Sequence, residues 1–201
     1  MCSRHDRGWD EIYHRKNHKA LPWELGKPRD GLVNIVEKMI ITPSRALDLC
    51  CGLGTNPIYL AKQGFEVTAL DISDKAVEIA KKKSIKEGVE IFFLVSDFLH
   101  LPLLRENFNF IFDFGCFHHI KPQNRTNFIQ QIYRVLKSNG VFFLTCFSDK
   151  NGSAWNHFSR NQLIDIFGKF FKIKRIRHFS SIEGDNVNRF FYEVLMIKRI
   201  D

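Results

Sequence analysis

Apolar segments with the spacing of β-strands alternate with amphipathic segments of helical spacing along most of this 201-residue chain. The strand-like segments cover residues 45–49, 65–70, 90–96, 107–114 and 141–147. The helical segments between or before them cover residues 30–40, 55–63, 73–83 and 127–136. Such alternation predicts an α/β fold, in which a Rossmann-like, doubly wound and mostly parallel sheet has helices on both faces.

The C-terminal part predicts a different connection. Ser159 and Gln162 form the S-x-x-Q pattern of a capping box, which predicts a helix that ends near Gly168. Two further strands, 171–177 and 189–197, are separated by the turn-rich residues 183–188, so we expect a β-hairpin at the sheet edge. The complete prediction is a seven-stranded sheet in a single domain, 1–201, in which residues 1–29 form an N-terminal arm.

Composition limits where the protein works and what it binds. No apolar run approaches the roughly 18 residues of a membrane span, and the N-terminal residues are polar, so we expect a cytoplasmic protein with no membrane partner. The five cysteines form no CxxC pair, and four of them lie in apolar segments, so we expect free buried thiols. The cysteines are Cys2, Cys50, Cys51, Cys116 and Cys146.

The chain carries 30 Lys and Arg residues against 22 Asp and Glu residues, a formal charge of +8. This charge keeps an anionic partner such as RNA in consideration. The basic residues, however, are not interleaved with stacking aromatic residues in any compact motif. A solvated basic surface is therefore favoured over a nucleic-acid groove.

The first strand leads into a glycine-bearing turn, Asp48-Leu49-Cys50-Cys51-Gly52-Leu53-Gly54. Gly52 and Gly54 let the backbone turn sharply and approach a nucleotide-like ligand at a helix N-terminus, and Thr55 is the predicted N-cap of that helix. Cys50 is compatible with this turn only if its φ angle stays negative. The turn therefore predicts a nucleotide-binding loop.

Acidic residues also follow the next strands. Asp71, followed by Ile72, ends the second strand, and its carboxylate can accept hydrogen bonds from both ribose hydroxyls. Asp97 follows the third strand, where it can accept from an exocyclic amine while Phe98 packs beside a purine. Asp113 and Phe114 end the fourth. Because carboxyl ends of parallel strands share one edge of a sheet, these residues predict an adenosine pocket.

Three other readings of these residues are less favoured. A dinucleotide fingerprint needs a third glycine, but Pro57 stands at that position. A P-loop is excluded because no Gly-Lys-Ser/Thr follows the glycines. A zinc site would have four potential ligands, Cys50, Cys51, His118 and His119. Adjacent cysteines inside the turn lack the spacing of metal ligands, so we expect no metal.

Together these motifs resemble the class I S-adenosylmethionine-dependent methyltransferases, from about Trp9 to the end of the chain. The first motif of that family matches at Asp48, Gly52 and Gly54, whereas Cys50 stands where its first glycine is expected. The stretch Val135–Phe142 resembles the family's turn into strand five. The resemblance implies S-adenosylmethionine as cofactor and S-adenosylhomocysteine as product. It implies a ribose contact for Asp71, an adenine contact for Asp97, and a methionine contact for the backbone near Phe114.

The segments Trp9–Glu11, Pro22–Pro28 and Gly115–His119 resemble those of a branch of small methyltransferases that includes relatives of thiopurine, thiol and tellurite methyltransferases. By that resemblance the N-terminal arm covers the cofactor and Trp23 helps to enclose the sulfonium. His118 or His119 is a candidate catalytic base for a thiol, amine or hydroxyl acceptor. The segment 148–158, which carries Trp155, is a candidate lid.

The function expected from this resemblance is in-line transfer of a methyl group to a small-molecule acceptor through sulfur, nitrogen, oxygen or a metalloid anion. An RNA or protein methyltransferase is one alternative, which the positive charge motivates. A non-catalytic S-adenosylmethionine-binding protein is the other, supported by Cys50. Either a monomer or a homodimer is compatible with the chain.

Overall fold

A computed structural model of the protein describes residues 4–15 and 21–199. Its helices are α1 (Arg4–Arg15), α2 (Asp30–Glu37), α3 (Thr55–Lys62), α4 (Asp74–Lys86), α5 (Arg125–Val135) and α6 (Arg160–Phe167). Its strands are β1 (Arg45–Leu49), β2 (Glu66–Asp71), β3 (Phe92–Val95), β4 (Phe108–Phe114), β5 (Leu136–Phe147), β6 (Phe171–Ile182) and β7 (Asn188–Lys198). The N-terminal arm thus contains a helix, α1, which the sequence pattern did not predict.

The seven strands form one sheet in the order β3-β2-β1-β4-β5-β7-β6. Strand β2 runs parallel to both β1 and β3, and β4 runs parallel to β5. Strand β7 is antiparallel to β5 and to β6, so the last two strands form the predicted hairpin. This arrangement confirms the predicted Rossmann-like fold.

The chain forms two compact units, the first made of the residues up to Phe98 together with the turn 183–187. Strands β1 to β3 and helices α1 to α4 belong to this unit. Leu47, Leu49, Ala69 and Leu70 are completely buried, which is the continuous apolar pattern of strands covered on both faces. The small side chain of Ala80 on α4 is buried as well.

The second unit contains residues 99–182 and the residues from Asn188 onward, and its core is built largely from phenylalanine. Phe112 on β4 and Phe143 on β5 stack with their ring centroids 5.9 Å apart. Phe142 contacts Phe171 on β6 with centroids 5.7 Å apart. These aromatic contacts join β4, β5 and β6 into one core.

Helix caps show where the local sequence signals hold. Ser73 accepts from the backbone N–H of Ala76 at the start of α4, and Ser159 forms the predicted capping box with Gln162. The prediction that Thr55 caps α3 is wrong, because Gly54 is the N-cap and Thr55 is the first helical residue. No helix in the described ranges is both long and apolar enough to cross a membrane.

Candidate functional site

The turn after β1 contains three residues with left-handed backbone conformations. Their φ angles are +54° at Cys50, +52° at Gly52 and +81° at Gly54. The expectation that this turn requires a negative φ at Cys50 is therefore wrong, because the turn forms with the conformation at this position that glycine adopts most easily. A side chain in that region costs free energy, because its Cβ crowds the backbone.

Gly54 is also required by close packing. A Cβ atom added there would lie 2.9 Å from the Cβ of Ala80 and 3.3 Å from its Cα. The turn therefore approaches α4 more closely than any side chain at position 54 allows. Gly52 faces the arm instead, since a Cβ at this position would lie 3.2 Å from the Tyr13 hydroxyl.

Asp71 holds the turn from the end of β2. Its buried carboxylate accepts hydrogen bonds from the backbone N–H groups of Gly52, at 2.9 Å, and of Ser73, at 3.0 Å. Burial raises the pKa of this carboxyl above its usual value, and the backbone hydrogen bonds oppose that rise. The backbone N–H of Ile72 contributes a third hydrogen bond, so about one of the roughly four lone pairs of the carboxylate is left for a ligand hydroxyl. Ile72, the next residue, is half-buried.

Aromatic side chains of the arm lie against this turn. Tyr13 on α1 is buried, and its hydroxyl accepts a hydrogen bond from Trp23 Nε1 at 3.2 Å. Burial, followed by the charge of Asp71, raises the pKa of Tyr13 well above 10. Trp9 packs edge-on against Trp23 with centroids 5.7 Å apart. The arm thus places Trp23 beside Tyr13, the residue whose hydroxyl lies closest to Gly52.

The other acidic positions of this unit differ in exposure. Asp48, inside β1, is buried almost completely. Asp97 is half-buried after β3, and Phe98 begins a single 3₁₀ turn that ends at His100. These residues occupy the ends of β1 and β3, as the strand pattern predicts.

The cysteines differ in whether their thiols are free or disulfide-bonded. Cys50 takes part in a disulfide bond, and so does Cys116, so the prediction of free thiols is wrong for these two residues. Cys51 and Cys146 are free and buried, as predicted. Burial raises the pKa of both free thiols well above 9, which leaves them protonated at neutral pH. Cys2 lies outside the described residues.

In the second unit, Asp113 organises the turn after β4. Its fully buried carboxylate accepts from the backbone N–H groups of Cys116, at 2.8 Å, and Phe117, at 3.1 Å. Burial raises the pKa of Asp113 to about 7. Phe114 is half-buried, and Gly115, at φ +90°, donates its N–H to the Thr145 carbonyl at 3.2 Å. The sequence alone did not reveal that the Asp113 carboxylate binds backbone N–H groups of the turn that follows it.

The two adjacent histidines occupy different environments on this turn. His118 is buried, and its ring stacks on Phe147 with centroids 3.9 Å apart. Its Nδ1 makes no hydrogen bond to the part of the chain that the structure describes. Burial lowers the pKa of His118 well below 6.5, and the charges of His119 and His157 lower it further. His119 is exposed, yet partial desolvation lowers its pKa to about 4. Both rings are therefore neutral, weak bases at neutral pH.

The segment after β5 carries further aromatic groups. Trp155 is 54% exposed, and its backbone carbonyl accepts from the Arg125 guanidinium at 2.8 Å. His157 packs edge-on against Phe147, and its Nδ1 lies 2.7 Å from the Gly152 carbonyl oxygen. Asn151 also exchanges two hydrogen bonds with the backbone of Phe190 on β7, at 2.6 and 2.8 Å, so the segment is fixed at several points in this structure.

One cluster of potential metal ligands is not evident from the sequence. Asp10, His14 and Asp74 bring their ligand atoms within 4.8 Å of one another at a largely exposed position. Asp10 already accepts hydrogen bonds from the Ser73 hydroxyl and the Lys75 backbone N–H. The contacts of Asp10 thus explain this cluster as a link between α1 and the start of α4.

The fold and the glycine turn define a protein of the Rossmann-like class, and comparison with known proteins narrows that class. Residues 46–140 match the family model of the methyltransferase domain. An uncharacterised methyltransferase of Schizosaccharomyces pombe is 28% identical over 65% of this chain and 90% of that protein. A probable thiol methyltransferase of Arabidopsis thaliana is 30% identical over 73% of this chain and 64% of that protein.

Solved structures show the same fold. A structure solved for the conversion of a disulfide bond into a thioacetal group during echinomycin biosynthesis has a TM-score of 0.87 and 21% identity, over 97% of this chain and 92% of that one. The N-methyltransferase NodS of Bradyrhizobium japonicum, bound to S-adenosylhomocysteine, has a TM-score of 0.76 and 17% identity, over 95% of this chain and 98% of that one. Residues 46–140 thus carry a methyltransferase domain, and the proteins to which the chain is similar include S-adenosylmethionine-dependent methyltransferases.

Proposed function

We propose that this protein transfers a methyl group from S-adenosylmethionine to a small-molecule acceptor, and that a thiol is the acceptor to test first. The environment of Asp71 carries the proposal. Its carboxylate is buried and accepts hydrogen bonds from the backbone N–H groups of Gly52, Ser73 and Ile72, and it keeps acceptor capacity for a ribose hydroxyl. A carboxylate held in this way fits the adenosyl group.

Different residues of the first unit are proposed to bind different parts of the cofactor. Asp71 receives the ribose, with the backbone of Ile72 beside it, while Asp97 and Phe98 receive the adenine. The turn from Asp48 through Cys50 and Gly52 to Gly54 offers its backbone, and Trp23 offers an aromatic face to the sulfonium. By the family resemblance, the backbone at Phe114 is proposed to receive the methionine amino group. The bound cofactor supplies an electrophilic methyl group.

The histidines favour an acceptor that needs little help to lose its proton. His118 is buried and neutral, and the pKa of His119 is lowered to about 4, so both are weak bases. A free thiol has a pKa of about 8.5 and already exists partly as the nucleophilic thiolate at neutral pH. Amines and hydroxyls depend more strongly on a general base. We therefore assign His118 and His119 to acceptor orientation.

Calorimetric titration with S-adenosylmethionine and S-adenosylhomocysteine, with NADH as the negative control, tests the cofactor assignment. We expect both adenosyl ligands to bind and Asp97→Asn to weaken them about tenfold through loss of one charged hydrogen bond. Glu66→Gln, which removes an exposed carboxylate on β2, is the matched control. Binding of NADH without binding of either adenosyl ligand would contradict the proposal.

Transfer of a radiolabelled methyl group to matched thiol, amine and hydroxyl compounds tests the acceptor. We expect turnover with thiols first. Turnover of RNA or protein with none of the small molecules would favour the macromolecular alternative, and adenosyl binding without any turnover would favour a non-catalytic protein. A cytoplasmic location and a monomeric or dimeric state complete the proposal; cell fractionation and light scattering test them.

A further inference from the structure

The segment Leu21–Arg29, here called the strap, is anchored by a buried ion pair within the first unit. The Arg29 guanidinium meets the Glu183 carboxylate in a bidentate arrangement, with N–O distances of 3.1 and 3.0 Å. The exposed fractions of the two side chains are only 10% and 4%. Arg29 also donates to the backbone carbonyl of Trp23 at 2.5 Å. One guanidinium thus connects the turn 183–187 to the residue proposed to face the sulfonium.

The turn 183–187 makes a second contact with the strap, through backbone atoms. The N–H of Gly184 donates to the Pro22 carbonyl at 2.7 Å. A Cβ atom at position 184 would lie 2.8 Å from the Leu21 carbonyl oxygen and 3.3 Å from that of Pro22. Only glycine permits this approach, so the contact depends on the turn's shape as well as on charge.

The opposite side of the strap is fixed to the start of α3. The Glu24 carboxylate accepts from the Thr55 hydroxyl at 2.8 Å, and the Asn56 side chain accepts from the Arg29 backbone N–H at 3.0 Å. Both partners directly follow Gly54, the last residue of the glycine turn. The strap is therefore held between the turn 183–187 and the glycine turn's own helix.

Burial of an ion pair is weak evidence for a stabilising role, because desolvation opposes the attraction between the charges. This pair instead fixes position: Arg29 holds the carbonyl of Trp23, whose indole donates to Tyr13 beside Gly52. We propose that Arg29 and Glu183 are positioning residues that form a latch. The latch keeps Trp23 over the nucleotide turn and sets the residence time of the adenosyl ligand, an inference that rests on the proposed function.

Two variants break the latch by different means. Glu183→Gln removes the charge while keeping the shape of the side chain, and Gly184→Ala introduces a steric conflict without changing charge. Glu66→Gln is the matched control, because it breaks the exposed Arg45–Glu66 pair of the same unit. Stopped-flow displacement of S-adenosylhomocysteine measures the release rate. We expect both latch variants to accelerate release about tenfold or more, and the control to change it less than about twofold.

A second measurement needs no ligand. In a Trp9→Phe, Trp155→Phe background, Trp23 is the remaining one of three tryptophans, and acrylamide quenching reports its accessibility. We expect Glu183→Gln to increase the quenching constant about twofold, since the strap then opens more often.

Unchanged quenching and unchanged release, with only a lower melting temperature, would overturn the latch and leave a structural ion pair. If the wild-type protein binds no adenosyl ligand, the proposed function fails, and the quenching result still decides whether the latch exists.

Discussion

Replacement of Gly54 by alanine tests the geometry of the nucleotide turn. At φ +81° an alanine costs about 1–2 kcal/mol of conformational free energy. Its Cβ would also lie 2.9 Å from the Ala80 Cβ, short of the roughly 3.5–4 Å of favourable carbon contacts. Overpacking of this kind costs about 1–3 kcal/mol. We therefore expect Gly54→Ala to lower the free energy of unfolding by about 2–5 kcal/mol, with weaker adenosyl binding.

Urea denaturation followed by circular dichroism measures this loss, and Gly88→Ala separates its two causes. Gly88 has a similar φ of +68°, but nothing lies within 4 Å of the position that its Cβ would take. We expect Gly88→Ala to show the conformational cost alone, about 1–2 kcal/mol. If Gly54→Ala is no more destabilising than Gly88→Ala, close packing between the turn and α4 is not what requires glycine.

Three other measurements follow from the structure. Burial raises the pKa of Asp113 to about 7 in the folded protein, against 3.8 for an ordinary Asp. The contribution of this carboxyl to stability is therefore complete below about pH 4 and is lost between pH 4 and 7, at up to about 1.4 kcal/mol per pH unit. Urea titrations at a series of pH values should show that slope, and Asp113→Asn should flatten it. Ser159→Ala removes the capping box of α6 and should cost about 1 kcal/mol in the same assay, whereas an unchanged midpoint would argue against the cap. The pH dependence of kcat/KM with a thiol acceptor should follow the ionisation of that thiol, with no inflection near pH 6.5, because His118 and His119 stay neutral. An inflection that His118→Asn or His119→Asn abolishes would instead assign that histidine as a catalytic base.

The sequence supports the fold more fully than the details of the turn. Alternating strand and helix patterns predict the parallel sheet, and Ser73 and Ser159 mark two helix starts, because these signals are local. Cys50 shows the limit of local reasoning. Its side chain type disfavours a positive φ, but the surrounding turn imposes one, and only the tertiary structure shows which preference prevails.

The contacts of the candidate site illustrate the same limit. Asp71 is recognisable from its place after a strand, whereas the backbone N–H groups of Gly52 and Ser73 come from the turn after β1 and from the start of α4, which only the folded chain brings together. The Arg29–Glu183 pair joins residues 154 positions apart. No spacing rule connects such positions, so neither residue stood out in the sequence.

The separation of Arg29 and Glu183 along the chain also determines when the latch can form during synthesis. During synthesis, the strands β1 to β3 and the glycine turn are complete long before the ribosome reaches Glu183. Contacts between distant residues form late, since the chain must close a long loop first. A nascent chain that stops before residue 183 therefore contains the nucleotide turn and the strap but not the partner that holds them together. Under the latch proposal, tight retention of the ligand therefore arises only after Glu183 has been made.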